Sequence, residues 1–182
     1  DGRNAIVALA EITQKIFALN GKRPGLTLNP GHIAGGGATN VVPDLAILRL
    51  NLRPQAPEDQ PWVEREIRAI CEEVHGRDGF SVKVHGNYTR APKPMSTQNK
   101  AIFDMVLACG KELGLDIAVK PSGGCCDGNN LWRYGLPNVD THGVRGAHSH
   151  SDKEIVHLGS HTERAQLSAL LLMKLASGEL GL

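Results

Sequence analysis

The sequence predicts an α+β sandwich over residues 1–89 and part of an α/β layer over residues 90–182. The first segment reads helix, strand, strand, helix, strand, which is the order of a ferredoxin-like split βαβ sandwich that lacks its first strand. The second segment alternates helices with short strands, too few for a complete doubly wound sheet. Between the two lies the proline-rich stretch TRAPKPMS, which is typical of a domain boundary.

Two amphipathic helices are predicted in the first segment. Asn4 can cap the first helix and Gly21 can end it. Pro61 suits the first position of the second helix. Their apolar stripes follow the 3.6-residue period of a helix and consist of Ile6, Leu9, Ala10, Thr13, Ile16 and Phe17 and of Ile67, Ile70, Cys71 and Val74.

Three strands are predicted around these helices, at Leu26–Ile33, Asp44–Arg53 and Phe80–Val84. The last two alternate apolar with polar residues, which indicates strands that are buried on one face only. Such an antiparallel sheet, covered by helices on one side, would expose its other side.

The second segment begins with a helix that Ser96 or Thr97 caps and Gly114 stops. Ser160 and Glu163 have the spacing of a capping box for the last helix. The elements expected after the first helix are a strand at Ile117–Val119, a short helix around Leu131–Tyr134, an apolar strand near Val139 and a final helix at Thr162–Ala176.

Composition excludes several classes of function. A net charge of +1 and an aromatic content of 4% disfavour a nucleic-acid binder. No apolar run approaches the roughly eighteen residues of a membrane helix, and the first residues do not form a signal peptide. The four cysteines show no CxxC spacing, and free thiols favour a reducing compartment. We therefore expect a cytoplasmic protein, with the periplasm as the open alternative.

Imidazole and carboxylate groups are concentrated between Thr141 and Glu154. These groups are ligands for zinc and similar ions, and the segment follows a predicted strand, where α/β sites form. An exposed histidine-rich loop explains the spacing equally well. One segment rarely supplies a whole catalytic metal site, so further ligands would come from elsewhere. The candidate ligands are His142, His148, His150, Asp152 and Glu154.

Two other segments could contact a ligand. In the segment Ser122–Asn130, Gly123 and Gly124 could turn backbone N–H groups towards a bound molecule, although local evidence favours a tight strand-to-helix turn. Asn40, Arg53 and Arg90 could donate hydrogen bonds to an anion. For a lone arginine, a solvated surface charge is the usual outcome.

Four strings together resemble one enzyme family: GRNAIVALAEI, GHIAGGGATNVVPDLAILRLNLR, PSGGCCDGNNLWRYGLPNVDTHGVRGAHSHSDKEIVHL and TERAQLSALLLMKL. They occur in family order and cover nearly the whole chain. The family is that of acetylornithine deacetylase, succinyl-diaminopimelate desuccinylase and glutamate carboxypeptidase, which are amidohydrolases with two zinc ions.

The resemblance implies a dimerisation (lid) domain at residues 1–89 and the C-terminal part of a zinc-exopeptidase catalytic domain at residues 90–182. It implies that His150, four residues before Glu154, is a zinc ligand, whereas His148 lies too far upstream. By the same resemblance, substrate contacts come from Asn40 and Arg53, which would hold a substrate carboxylate, from Arg90, and from Gly123 and Gly124, which would line the pocket.

The implied reaction is hydrolysis of an amide bond next to a free carboxylate, in an N-acyl amino acid or a peptide, by a homodimer that joins through the lid. The family's other zinc ligands, its glutamate base and its oxyanion histidine match nothing in this chain. The resemblance therefore implies no catalytic residue here and a chain that is inactive alone. The alternative is a non-catalytic dimerisation module. Cys125 and Cys126 replace the small hydroxyl residues that the family more often has.

Overall fold

A computed structural model describes residues 2–77 and 79–180 of the chain. Residue contacts divide the chain into two compact units, Asp1–Pro92 (unit 1) and Lys93–Leu182 (unit 2). Both units combine helices with a small antiparallel ladder.

Unit 1 contains two helices and a two-stranded antiparallel sheet. The elements are α1 (Ala5–Phe17), β1 (Thr27–Gly35), β2 (Ala46–Arg53) and α2 (Asp59–His75). The ladder runs from the pair Thr27 and Arg53 to the pair Gly35 and Ala46. An irregularity between Pro30 and His32 shifts the register, consistent with a proline that has no N–H to give to a ladder.

Helix α1 begins as the sequence predicts. The Asn4 side-chain oxygen accepts hydrogen bonds from the N–H groups of Ile6 at 3.0 Å and Val7 at 3.2 Å. The helix ends at Phe17, four residues before Gly21, which was the predicted end. Gly21 instead lies in the following turn with φ of +77°, a conformation that glycine adopts without strain.

The core of unit 1 lies between the two helices and one face of the sheet. All four residues of the predicted second stripe are buried, and Val63 joins them with no exposed surface. The predicted stripe of α1 is wrong except at Ile16, because the face that packs on the core carries Ala8 and Ile12, while Ile6 and Phe17 are exposed. On β2, alternate residues are half-buried, as the period-two pattern predicts. The buried core residues are Ala8, Ile12, Ile16, Leu26, Leu28, Val63, Ile67, Ile70, Cys71 and Val74, with Leu48, Leu50 and Leu52 packed against them.

The predicted strand Phe80–Val84 is wrong as a strand. Phe80 and Val82 do pack against the core, so the alternation correctly indicates which side chains face inwards. However, within the described part of unit 1 no segment pairs with these residues, and the Val82 N–H donates to His75 Nδ1 at 3.1 Å. Alternation reports burial, whereas a strand also needs a neighbour to complete its ladder.

Unit 2 is mainly helical. Its elements are α3 (Thr97–Glu112), α4 (Asp127–Arg133), β3 (Gly146–Ala147), β4 (Ile155–Val156) and α5 (Gly159–Ala176). Ser96 caps α3 by accepting a hydrogen bond from the Asn99 N–H at 3.1 Å, as predicted. The buried hydrophobic residues of its core are Val106 and Cys109 from α3 and Leu167 and Leu171 from α5.

Several predictions for unit 2 are wrong. Ile117–Val119 and the segment near Val139 form no strand, although Ile117 and Val139 pack against the core. Within the described residues the sheet of unit 2 is only the two-residue ladder of β3 and β4, so the expected α/β layer is not seen. The sequence did not predict this hairpin, because two residues per strand are too few to show alternation.

The capping box at Ser160 and Glu163 is also wrong. Ser160 is fully buried, and its hydroxyl accepts from the Arg145 N–H at 2.9 Å and donates to the His157 carbonyl at 2.6 Å. Glu163 pairs with the Arg145 guanidinium at 2.9 Å. Tertiary contacts with the segment before β3 therefore take the two side chains that the local spacing assigned to a cap.

Candidate functional site

His150 lies in the turn that joins β3 to β4. His148 and His150 are exposed and have φ of +58° and +67°, values uncommon for residues other than glycine. Ser151 stabilises the turn, since its hydroxyl donates to the His148 carbonyl at 2.7 Å and its N–H donates to the same oxygen at 3.2 Å. The imidazole of His150 is therefore presented to solvent on a constrained backbone.

The described residues place no group of metal ligands around His150. In the described residues, no three histidine, cysteine, aspartate or glutamate side chains are grouped to hold a metal ion. Asp152 and Glu154 are exposed in the same turn. A neutral imidazole suits zinc, but a catalytic zinc site takes about three protein ligands, so His150 would need partners from outside these residues.

His142 stands apart from this turn. Its side chain is half-buried, and its Nε2 is buried without a hydrogen-bond partner. Burial lowers the pKa of His142, the charge of Arg164 lowers it further, and Asp140 acts in the opposite direction. A neutral imidazole is therefore favoured at this position.

The glycine-rich loop from Ser122 to Cys126 precedes α4. The Ser122 hydroxyl accepts a hydrogen bond from the Gly124 N–H at 3.1 Å, so that N–H, predicted to face a ligand, is engaged within the loop. Neither Gly123 nor Gly124 has a positive φ, and a Cβ on Gly123 would meet no atom within 4 Å. These glycines are not needed for an unusual backbone; they leave the loop surface open to approach.

A cluster of polar side chains at the end of this loop, formed by Lys93, Cys126, Asn138 and Asp140, was not predicted. Asp140 Oδ2 accepts hydrogen bonds from the Cys126 thiol at 2.9 Å and from the Lys93 ammonium. Lys93 also donates to the Asn138 side-chain oxygen at 3.0 Å. No local pattern could have revealed this cluster, because its members come from three separate parts of unit 2.

The charges of the cluster support each other. Burial alone would raise the pKa of Asp140, but the hydrogen bonds from Cys126 and Lys93 outweigh it and the pKa is lowered. Burial raises the pKa of the Cys126 thiol, and the hydrogen bond to Asp140 raises it further. At neutral pH the arrangement therefore favours an ionised Asp140 and a protonated Cys126 thiol.

In unit 1, Asn40 is exposed in the loop between β1 and β2. An open cleft of about 410 Å³ lies here, lined by Asn4, Ile6 and residues 35–43. The Ala5 N–H donates to the Pro43 carbonyl at 3.1 Å and joins this loop to the start of α1. Asn40 is therefore beside a cleft of the size that a small molecule occupies.

The structure does not bring Arg53 to this cleft. Arg53 ends β2 opposite Thr27, whereas the Asn40 loop joins the other end of the ladder at Gly35 and Ala46. The Arg53 side chain is exposed and donates to the Asn51 side-chain oxygen at 3.0 Å. Arg90 is exposed in a segment without regular structure near the end of unit 1.

The sequence of this chain is similar to one family model and to known enzymes. Residues 1–79 match the family model described as the peptidase dimerisation domain. Carboxypeptidase G2 from Pseudomonas sp. strain RS-16 is 27% identical over 182 residues, covering 98% of this chain and 43% of that protein. Succinyl-diaminopimelate desuccinylase from Verminephrobacter eiseniae is 28% identical over 119 residues, covering 61% of this chain and 28% of that protein. The chain thus spans less than half the length of these relatives.

Solved structures show the same fold. A tripeptidase from Staphylococcus aureus superposes with a TM-score of 0.80 at 25% identity, covering 92% of this chain and 44% of that one. Aminopeptidase PepT from Bacillus cereus gives 0.78 at 20% identity, covering 95% and 46%. A Bacillus subtilis protein described as a dinuclear metal binding peptidase from the M20 family gives 0.66 at 18%, covering 92% and 45%.

These matches confirm the family resemblance and the α+β fold. Within the described residues no helix is long and apolar enough to cross a membrane. Residues 1–79 match the model of the peptidase dimerisation domain, and the chain is similar to peptidases of this kind over less than half of their length.

Proposed function

We propose that this chain is part of a metal-dependent amidohydrolase or carboxypeptidase, which hydrolyses an amide bond next to a free carboxylate in an N-acyl amino acid or a peptide. The observation that carries the proposal is the alignment with carboxypeptidase G2 over 98% of this chain, together with the dimerisation domain at residues 1–79. In this proposal residues 1–89 form the lid, and residues 90–182 form the last part of a cytoplasmic enzyme's catalytic domain.

His150 is the residue of this chain that would bind metal. Its exposed imidazole on a constrained turn fits a zinc ligand, with the remaining ligands supplied from outside the described residues. Two bound zinc ions would supply a water of lowered pKa as the nucleophile. The role of His150 would be to hold an imidazole nitrogen at a fixed position. The hydrogen bonds from Ser151 to the His148 carbonyl suit this role, because they stabilise the turn that carries His150.

The candidate substrate contacts would recognise the free carboxylate. Asn40 and Arg53 supply an amide and a guanidinium donor, and Arg90 supplies a second guanidinium. Gly123 and Gly124 would let substrate approach the backbone of the loop. Since Asn40 and Arg53 belong to opposite ends of the β1–β2 ladder, we propose that they reach the carboxylate from different copies of a homodimer.

The test replaces His150 with alanine in the full-length protein and measures zinc content and hydrolysis of N-acyl glutamate. We expect loss of most activity and of bound zinc, because a metal site that loses one of its few ligands binds weakly. His148→Ala is the matched control, an exposed histidine in the same turn, and should keep both properties. Equal zinc and activity in wild type and His150→Ala would remove His150 from the site.

A second candidate function is a dimerisation module without hydrolase activity. The observation that favours it is that residues 1–79 match a dimerisation domain, while the described residues group no metal ligands. Light scattering of the 182-residue chain over a concentration series tests the association. A dimer together with a full-length protein that hydrolyses no N-acyl amino acid would favour this candidate, and a monomer at every concentration would count against it.

A further inference from the structure

The polar cluster at the end of the glycine-rich loop joins three segments of unit 2. Cys126 immediately precedes α4 and is bonded to Asp140 on the segment that leads to β3. Lys93, at the start of the unit, bonds both Asp140 and Asn138. The loop of residues 122–126 therefore ends at Cys126, whose thiol is hydrogen-bonded to the Asp140 carboxylate.

The side chains of the cluster are partly or largely buried and are joined by several hydrogen bonds. The Lys93 side chain is only 11% exposed and that of Asp140 is 31% exposed. Asn138 donates to the carbonyls of Gly128 at 3.0 Å and Leu136 at 2.9 Å, and its N–H donates to the side-chain oxygen of Asn99 at 3.1 Å. A charge-assisted network of this kind fixes geometry more firmly than isolated surface hydrogen bonds.

We propose that Asp140 is a positioning residue, which Lys93 holds in place and which acts through the Cys126 thiol to keep the loop of residues 122–126 in the shape that receives substrate. The inference rests on the proposed function, because substrate contact by this loop belongs to that proposal. Asp140 itself lies outside the loop and accepts hydrogen bonds from Cys126 and Lys93.

The two adjacent cysteines provide an internal measurement. Cys125 is exposed and Cys126 is only partly exposed, and neither forms a disulfide. The ionised Asp140 favours the protonated Cys126 thiol, and alkylating reagents react with the thiolate. Alkylation of Cys126 therefore reports its contact with Asp140, while alkylation of Cys125 on the same molecule reports general accessibility.

The first experiment alkylates the 182-residue chain with iodoacetamide between pH 6 and pH 10 and quantifies each cysteine by peptide mass spectrometry. In Asp140→Asn we expect the pH midpoint for Cys126 to fall by about one unit, which means about tenfold faster alkylation at neutral pH. Cys125 should change less than about twofold. Asp116→Asn, an exposed carboxylate of the same unit, is the matched control and should leave both cysteines unchanged.

This experiment separates contact from loosening. Faster alkylation of both cysteines with no change in the pH midpoint of Cys126 would show that Asp140 does not act through the Cys126 thiol, and that result would overturn the inference. An unchanged Cys126 in Asp140→Asn would overturn it as well. Circular dichroism of each variant confirms that the protein measured is folded.

The second experiment measures hydrolysis of N-acyl glutamate by the full-length protein. We expect Asp140→Asn to raise KM several-fold with kcat little changed, since a displaced loop weakens substrate binding. Cys126→Ala should also raise KM, because it removes the donor to Asp140. Cys126→Ser keeps a donor for Asp140 and should have a KM close to that of the wild type. An unchanged KM in Asp140→Asn would overturn the positioning role and leave the proposed hydrolase intact; an inactive wild type would overturn the proposed function, while the alkylation result would stand.

Discussion

Units 1 and 2 are similar in length but differ in what stabilises them. The described part of unit 1 buries ten hydrophobic residues in one cluster between two helices and a sheet. The described part of unit 2 buries four, all from α3 and α5, and adds the network of Lys93, Asp140, Asn138 and Asn99. Unit 1 depends mainly on the burial of apolar surface, whereas unit 2 depends to a larger degree on specific polar contacts.

This difference is related to function. Unit 2 holds His150, the glycine-rich loop and the polar cluster, which are the features nearest to the proposed chemistry. Polar networks fix positions well but bury little apolar area, so they contribute less to stability per residue. We therefore expect unit 2 to be the less stable of the two units, and the following predictions test that expectation.

The largest effect should come from the small core of unit 2. Leu167 has no exposed surface, and Leu167→Ala should lower the free energy of unfolding by about 2–5 kcal/mol. Hydrogen exchange, read on peptides from each unit, should show unit 2 opening while unit 1 stays protected. Ile67→Ala, a matched deletion in the larger core, should leave unit 1 folded. Equal loss of protection in both units would contradict the comparison.

A smaller effect should follow from the buried carboxylate of unit 1. Asp59 is 3% exposed, and it accepts hydrogen bonds from the Arg23 guanidinium at 3.1 Å and the Ala56 N–H at 3.0 Å. Asp59→Ala leaves these donors without their acceptor and should cost about 1–3 kcal/mol. Urea unfolding followed by tryptophan fluorescence, to which Trp62, 5.0 Å from the Arg23 guanidinium, contributes together with Trp132, measures the loss. The exposed Asp44→Ala should show no comparable shift.

The helix caps allow a direct comparison between the units. Asn4 caps α1 and Ser96 caps α3, each through a side-chain oxygen that accepts backbone N–H groups. Replacing either with alanine should cost about 1 kcal/mol in the unit that holds it. Because unit 2 has the smaller core, Ser96→Ala should produce more local hydrogen exchange than Asn4→Ala. The reverse order would show that unit 1 is closer to its unfolding threshold.

The last effect should appear only at alkaline pH. Burial, together with the charges of Glu64 and Asp59, raises the pKa of Tyr88 to about 12. The folded chain holds this proton more tightly than the unfolded chain does, so its contribution is complete below pH 10 and is lost as the pH rises towards 12. Thermal melts across this range should show a slope that Tyr88→Phe reduces. Tyr134→Phe, at a residue that is 88% exposed, should leave the slope unchanged.

The predictions that succeeded depend on neighbours in the chain. Asn4 and Ser96 cap their helices, the stripe from Ile67 to Val74 is buried, and β2 alternates as expected. The predictions that failed depend on a distant partner. Phe80–Val84 and Ile117–Val119 have no strand partner among the described residues, and Ser160 contacts Arg145 in place of a cap.

The candidate site likewise contains features that local sequence predicts and contacts that it does not. The positions of His150 in a turn and of Gly123 and Gly124 in an open loop follow from local sequence. Their roles with metal and substrate stay predictions. The cluster of Cys126, Asp140 and Lys93 could not be predicted, because nothing near each residue indicates the other two.

The sequence by itself determined the family resemblance, the two long helices and paired strands of unit 1, and the buried faces of α2 and β2. These properties follow from periodicity and capping, which act over a few residues. Only the tertiary structure decided the β3–β4 hairpin, the burial of Ser160 and the bond between Cys126 and Asp140. Those contacts join residues about eight to fifteen positions apart in the chain, beyond the reach of helix periodicity or capping, and packing of the whole unit selects them.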